Sequence, residues 1–353
     1  MIYCAETSIS GYRRVLETLI KKCLVNPRYA ITCLKDKCLI PLKNTNIDVL
    51  DSLEINIRIV ECAPPINNKR GKNLKKLMRE YLGEKILDLI PRSYDIIGDV
   101  IVIQLPEELK DYYCFIADLL LYLHPNVKAV YRRSSETKGE YRVREVEHIG
   151  GAKVKETIYR EHGISFYVLL GLVYINPSFS YEHKVISELV DENEKILDMF
   201  AGIGGFTLNI AVARKTRIVA VDINPWAVYC GVYSINLNKK KIKGNITYFN
   251  SDIRVVTQYI RSNYFDRIIM NLPLYSIEFL PIAIKHSKNR GIIHLYSVER
   301  NYSTLEEKIL KIAYKYSKNV IIDIIDYRKV LDYAPYKYIY RVDLAIRKTM
   351  NIV

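Results

Sequence analysis

Apolar positions along this chain change their period several times. Val15, Leu16, Leu19, Ile20, Cys23 and Leu24 recur at helical spacing, and Ser8 or Ser10 stands ready to cap that helix. Strand-like runs follow at residues 29–33 and 38–42, then an amphipathic segment around 47–53 and an alternating strand at 55–60. Pro64-Pro65 and a polar run through Lys72 interrupt the pattern and mark the best linker.

Helical spacing returns over residues 74–89. Residues 94–103 read as a turn entering a buried strand, and 107–123 as another helix. A basic stretch with interleaved aromatics occupies 131–145, and strands are expected at 153–160 and 164–175. Beyond Asn176-Pro177, apolar runs alternate with helical segments at 195–200, 206–214, 217–222, 225–238, 246–250 and 267–272. Such βαβ alternation predicts a mainly parallel sheet covered by helices on both faces. Two late strands, 319–326 and 338–347, are separated only by 327–337 and should close the sheet as an antiparallel pair. The expected fold is α/β: a Rossmann-like, mainly parallel sheet over 169–353, preceded by smaller α/β domains at 1–66 and 72–168.

A chain of 353 residues suits two or three domains. No apolar stretch reaches the roughly 20 residues of a membrane-spanning helix, and the first residues lack a secretory pattern. A cytoplasmic protein with no membrane partner, acting as a monomer, is expected. Lys and Arg outnumber acidic residues 53 to 39, for a net charge of +14, which favours a polyanionic partner. The seven cysteines form no CxxC pair, so no zinc knuckle or disulfide framework is legible, and the histidines lack metal-ligand spacing. Cys33 and Cys38 flank a turn and could meet across a hairpin, although two small buried side chains are the expectation; a bridge is open to a hyperthermophile.

The chemistry concentrates where acids end apolar runs. Asp198-Met199-Phe200-Ala201-Gly202-Ile203-Gly204-Gly205 places a carboxylate before a glycine turn, where backbone can approach a ligand without Cβ interference. The dinucleotide fingerprint would need glycine at 207, where Thr207 stands, and no Walker lysine follows. Asp222 ends the next apolar run 24 residues later, placed to accept from ribose hydroxyls. Asp252 ends a third and could accept from an adenine amino group. Asn271-Leu272-Pro273 ends a fourth, where an asparagine carbonyl can face a nitrogenous target. This order suits S-adenosylmethionine held beside a planar base.

These residues, with Ser93–Asp99, Lys138–His148, Val221–Pro225, Ser251–Arg254 and Tyr333-Ala334-Pro335, resemble the archaeal and eukaryotic class I tRNA (guanosine-37 N1) methyltransferases. The resemblance implies methyl transfer from S-adenosylmethionine to N1 of guanosine 37 of tRNA. The alternative is C7-methylation of the tricyclic wyosine precursor, 4-demethylwyosine, at the same position, alone or as a second activity. It further implies that Arg142 faces the target guanine, Glu182 is the general base and Asn271 orients the target. Cofactor contacts are expected from Tyr174, His183, Phe200, Gly202, Gly204, Asp222, Ile223, Asn224, Asp252, Ile253, Asn271 and Pro273. RNA contacts are expected from Arg132, Arg133, Lys138 and Arg144, and the N-terminal domain should add others.

The roles agree with elementary chemistry. Guanine N1 is protonated at neutral pH, so a carboxylate must remove the proton before the lone pair can attack. Charge then grows on O6, where a guanidinium stabilises it. By local pattern alone, Glu182 is a first-turn carboxylate of a helix spanning 180–189. The chain also departs from the family. Ser178 and His183 replace two arginines around Glu182, and Leu274-Tyr275-Ser276-Ile277 replaces a Lys-x-x-His run, which enlarges the apolar surface beside the target. An RNA-binding protein without catalysis, and methylation of a small molecule or protein, are the rival readings.

Overall fold

Strand β1 (Ile2–Ser8) buries Cys4, Ala5 and Thr7 and pairs antiparallel on both edges, with β3 (Lys37–Pro41) and β4 (Arg58–Cys62). With β2 (Thr32–Leu34) they form a sheet ordered β2-β3-β1-β4. Helix α1 (Tyr12–Lys21) lays Val15, Leu16, Leu19 and Ile20 into the core, as the spacing requires. Its N-cap is Gly11 rather than Ser8 or Ser10. The Ser8 hydroxyl accepts from the Gly11 N–H at 3.2 Å, one residue too early to reach the helix's own orphan donors. The computed structural model describes residues 1–43, 50, 53, 55–68, 71–84, 86–133, 145–316 and 320–348. The segment expected to be amphipathic around 47–53 therefore lies largely outside the described residues. Described residues fall into two compact units that part after Thr157.

The first unit continues with α2 (Leu74–Leu82), which stops well short of residue 89 because Gly83 takes a positive φ of 71° there. A hairpin of β5 (Asp95–Ile97) and β6 (Val100–Gln104), α3 (Tyr113–Leu123), β7 (Ala129–Arg133) and β8 (Val146–Gly151) complete it. The second sheet runs β5-β6-β7-β8, and one hydrophobic core joins α1, α2 and α3.

The cysteines correct the sequence reading. Cys33 and Cys38 are opposite partners in the β2–β3 register and form a disulfide, with Cα atoms 4.1 Å apart. Cys4–Cys62 and Cys23–Cys114 are also bridged, at Cα separations of 6.0 and 5.8 Å, inside the usual range for a disulfide. Cys230 alone is free, and it is buried.

Starting at the boundary, β9 (Glu156–Glu161) and β10 (Ile164–Leu169) form a hairpin whose turn residues, His162 and Gly163, both take positive φ. The main sheet contains β11 (Lys195–Asp198), β12 (Arg217–Asp222), β13 (Asn245–Asn250), β14 (Phe265–Met270), β15 (Ser287–Glu299), β16 (Val320–Ala334) and β17 (Lys337–Lys348). Its order is β13-β12-β11-β14-β15-β17-β16. The first five are parallel, and β17 is antiparallel to both its neighbours. Alternate residues of one strand enter different cores: Ile196 and Ile269 one, Leu197 and Ile268 the other. The covering helices are α4 (Ser180–Leu189), α5 (Gly205–Ala213), α6 (Pro225–Asn238), the single turn α7 (Ile253–Val256), α8 (Ser276–His286) and α9 (Tyr302–Tyr316).

The expected terminal pair is present but longer. Residues 327–334 continue β16 past one register shift at Ile324/Asp326 and through two more, leaving Pro335 and Tyr336 as the turn. Those shifts break the alternation by which a strand is recognised. Because β12 and β14 lie on opposite sides of β11, the strand order reverses there. A crevice opens at the carboxyl ends of the strands at such a point.

Candidate active site

At the tip of β11 the chain turns through Gly202 and Gly204, with φ of 55° and 95°, a region that disfavours any side chain. Gly204 caps α5, and a Cβ on Gly205 would lie 2.5 Å from the His183 ring. The turn is tied to the next strand: the Gly202 N–H donates to Asp222 Oδ2 at 2.7 Å and the Asn224 N–H to Oδ1 at 2.9 Å. Burial holds the Asp222 carboxyl above its ordinary range, opposed by those two donors. Each of its oxygens retains a lone pair for a further donor.

Asp198 sits fully buried below. Thr207, at the position a dinucleotide fingerprint would give to glycine, donates its hydroxyl to Asp198 Oδ2 at 2.7 Å, while Oδ1 has no partner. Burial, assisted by the nearby Asp222, pushes Asp198 up to about 7. Tyr248 supports the turn from beneath, donating to the Gly202 carbonyl at 3.0 Å.

The remaining cofactor candidates shape this rim. Asn224 caps α6 by accepting from the Trp226 N–H, and its amide donates to the Leu172 carbonyl. The Asn250 amide donates to the carbonyls of Asp222 and Ile223. Asp252 caps α7 and pairs with Arg254, whose hydrogen bonds hold its carboxyl below the usual range. Ile253 is buried behind it, Phe200 meets Phe279 edge-on and Tyr174 is exposed. At the tip of β14, the Pro273 carbonyl accepts from the Val298 N–H. Asn271 Oδ1 is buried without a hydrogen-bond partner. Desolvating an acceptor without a partner is costly, so this atom is suited to receiving a donor from a ligand.

Glu182 lies in the first turn of α4 and is 1% exposed. Its Oε1 accepts from Tyr296 at 3.0 Å and from Arg341 Nη1 at 2.8 Å. Its Oε2 has no hydrogen-bond partner and stands 3.6 Å from Arg328 Nη2. Arg341 is itself buried, with Asp343 and Asp326 at 3.1 and 3.0 Å. Asp343 accepts from His294 Nδ1, and Arg267 donates to His294 Nε2 at 2.7 Å, so His294 is neutral; burial lowers its pKa. His183 bonds Glu161 at 2.8 Å and packs edge-on against Phe206. Burial opposes the Glu161 charge, but hydrogen bonds from His183 and Asn209 prevail and hold its carboxyl low.

The sequence reading thus finds Asp222, Gly202, Gly204, Glu182 and Asn271 at the strand and helix tips it assigned them. It misses Tyr296, Arg341, Glu161 and Thr207, which carry no motif. Arg142, Lys138 and Arg144 lie outside the described residues. Arg132 and Arg133 belong to the first unit, where Arg132 pairs with Glu107 and Glu147 and stacks on Tyr113, and Arg133 pairs with Asp95.

A glycine turn locked to a second-strand aspartate, on a sheet whose β17 runs against the rest, defines a class I methyltransferase. Residues 157–324 match the TRM5/TYW2 methyltransferase domain and residues 74–154 the TYW2 N-terminal domain. The tRNA (guanine(37)-N(1))-methyltransferase Trm5b of Pyrococcus abyssi is 37% identical over 292 residues, covering 82% of this chain and 84% of that protein. Trm5b of Methanocaldococcus jannaschii is 33% identical over 99% of this chain and 100% of its own. The solved complex of aTrm5 and tRNALeu superposes with a TM-score of 0.68 at 30% identity, covering 97% of this chain and 99% of that one. The chain belongs to the TRM5/TYW2 methyltransferase family.

Proposed function

We propose that the protein is an S-adenosylmethionine-dependent tRNA methyltransferase that modifies N1 of guanosine 37, beside the anticodon. The observation that carries this reading is the buried, unpartnered carbonyl oxygen of Asn271 at the tip of β14, with an aspartate-locked glycine turn on the adjacent strand. The residues present fit an adenosyl sulfonium. Asp222 retains acceptor capacity for ribose hydroxyls, Asp252 would accept from the adenine amino group in exchange for its exposed partner Arg254, and the cradle at Gly202 has open space. When bound, that cofactor supplies an electrophilic methyl group.

The chain's own residues then prepare the base. Asn271 Oδ1 accepts from a guanine N–H and fixes the ring. Glu182, whose Oε1 is already satisfied, offers Oε2 to the N1 proton. Arg142 donates to O6 as negative charge grows there. The proton ends on Glu182, and N1 gains the methyl group. Both Glu182 Oε2 and Asn271 Oδ1 are buried at the helix and strand tips, which keeps water from that transfer. The N-terminal residues 1–66 supply further tRNA contacts, in keeping with the net charge of +14, and the enzyme acts as a cytoplasmic monomer.

The test is nuclease digestion and mass spectrometry of tRNA after incubation with S-adenosylmethionine. Methylguanosine at position 37 of unmodified tRNA is expected. Methyl incorporation only into tRNA bearing the tricyclic precursor would move the acceptor to C7, and no incorporation into either would reject the proposal.

A further inference from the structure

We infer that the β16–β17 hairpin tip is a docking surface for the unpaired bases flanking the target nucleotide. This deepens the tRNA reading and rests on it. Both β15 and β16 run antiparallel to β17, so β16 points the same way as the five parallel strands. Its far end therefore stands at the end of the sheet that carries Asp198, Asp222 and Met270. Register gives the height: Met270, Leu295, Val342 and Tyr327 form one row across the sheet. Everything from Arg328 through Tyr340 lies beyond that row, on the side where Asn271 begins.

The composition of this tip is unusual for a solvated turn. Residues 332–337 are all exposed, with Tyr333 at 44% and Tyr336 at 82%. Tyr336 is held at a φ of 57°, which a tyrosine adopts only at a cost, and its ring covers no core in return. Tyr327 is half exposed, with its ring stacked on Tyr302 at 3.6 Å. Cations interleave these rings. Lys329 sits 3.8 Å from the Tyr338 centroid, and Arg328 lies over the Tyr181 ring while reaching to 3.6 Å from Glu182 Oε2. The nearby acids are already engaged, Asp326 by Arg341 and Asp332 by Lys329 at 2.6 Å. Lys337 adds a further positive charge.

Exposed rings beside cations match unpaired RNA, whose bases offer flat faces and whose phosphates carry charge; a paired helix hides those faces. Arg328 joins the tip to the base-modifying carboxylate along one strand. A nucleotide seated in the site would thus have its neighbours in the loop laid against Tyr333 and Tyr336.

The experiment compares full-length wild-type protein with Tyr333→Ala/Tyr336→Ala, Tyr333→Phe/Tyr336→Phe and Lys337→Ala. It measures affinity for tRNA and for an anticodon stem-loop RNA across a salt series, with thermal melting and cofactor titration as controls. The alanine pair should weaken both RNAs roughly tenfold or more with an unchanged salt slope, and the phenylalanine pair should retain wild-type affinity. Lys337→Ala should reduce the salt slope by about one. Melting and cofactor affinity should not move. An alanine pair with wild-type affinity and KM for a tRNA that the wild type methylates would overturn the surface and leave the reaction standing. A wild type that binds tRNA through these tyrosines without methylating it would retain the surface and remove the reaction.

Discussion

Arg341 donates to Glu182 across 2.8 Å, and the two side chains are only 3% and 1% exposed. Tyr296 and Arg341 are direct cross-strand partners, so both reach Glu182 Oε1 from the same face of the sheet. A buried ion pair of this kind adds little net stability, but breaking it is expensive.

Arg341→Met should therefore cost about 3–5 kcal/mol of unfolding free energy, because Glu182, Asp326 and Asp343 lose their shared cation. The double variant Glu182→Gln/Arg341→Met should recover part of that loss in denaturant titrations. Strict additivity of the two substitutions would show that they are not coupled.

Glu182→Gln keeps the shape of the side chain and removes its capacity to accept a proton. Single-turnover methyl transfer to tRNA should fall on the order of a hundredfold or more. Cofactor affinity should stay within about twofold, since no proposed cofactor contact is altered. Rapid-quench assays and calorimetric titration separate the two effects.

Asp222→Ala should act in the opposite sense. It removes the acceptor that ties Gly202 and Asn224 together and that faces the ribose hydroxyls in the proposed complex. Cofactor affinity should drop about a hundredfold, roughly 3 kcal/mol for two charge-assisted hydrogen bonds. A titration indistinguishable from wild type would remove Asp222 from the cofactor site.

Asp198 gives a pH signature. Burial raises its pKa to about 7, so the native state binds more protons than the unfolded chain between about pH 4 and 7. Stability contributed at this site is greatest in acid and declines as pH rises through that window. Asp198→Asn lacks the titration. Its Tm should gain on the wild type by a few degrees between pH 5 and pH 8, as read by calorimetry. A constant difference across that range would contradict the raised pKa.

All three disulfides lie in the first unit. Cys4–Cys62 and Cys23–Cys114 close separations of 58 and 91 residues, each about 4 kcal/mol by chain entropy. A reductant should lower the melting of that unit by several degrees and leave cofactor binding by the second unit intact. The second unit holds Cys230, which burial pushes up to about 11. It should resist thiol reagents at pH 8 until the unit unfolds.

Local chemistry was legible in the sequence. A glycine turn, an acid ending an apolar run and an Asn-x-Pro each occupy a few consecutive residues, and βαβ alternation fixed their order along the sheet. Long-range partners left no such trace. Glu182 meets Tyr296 and Arg341 across 114 and 159 residues, and only the β15–β17 register brings those two together. Cysteine pairing was hidden for the same reason, with Cys33–Cys38 the one bridge short enough to suspect. The start of α1 was misread because Ser8 satisfies Gly11 instead of the helix. The β16 extension was missed because register shifts erase its alternation.

The 159 residues between Glu182 and Arg341 also bear on biosynthesis. While the ribosome is still making β15 and β16, helix α4 has emerged but its carboxylate has no counter-ion. Strand β17, one in from the sheet's edge, supplies Arg341 only after them, so a nascent chain can fold its glycine turn well before its pocket is electrostatically complete.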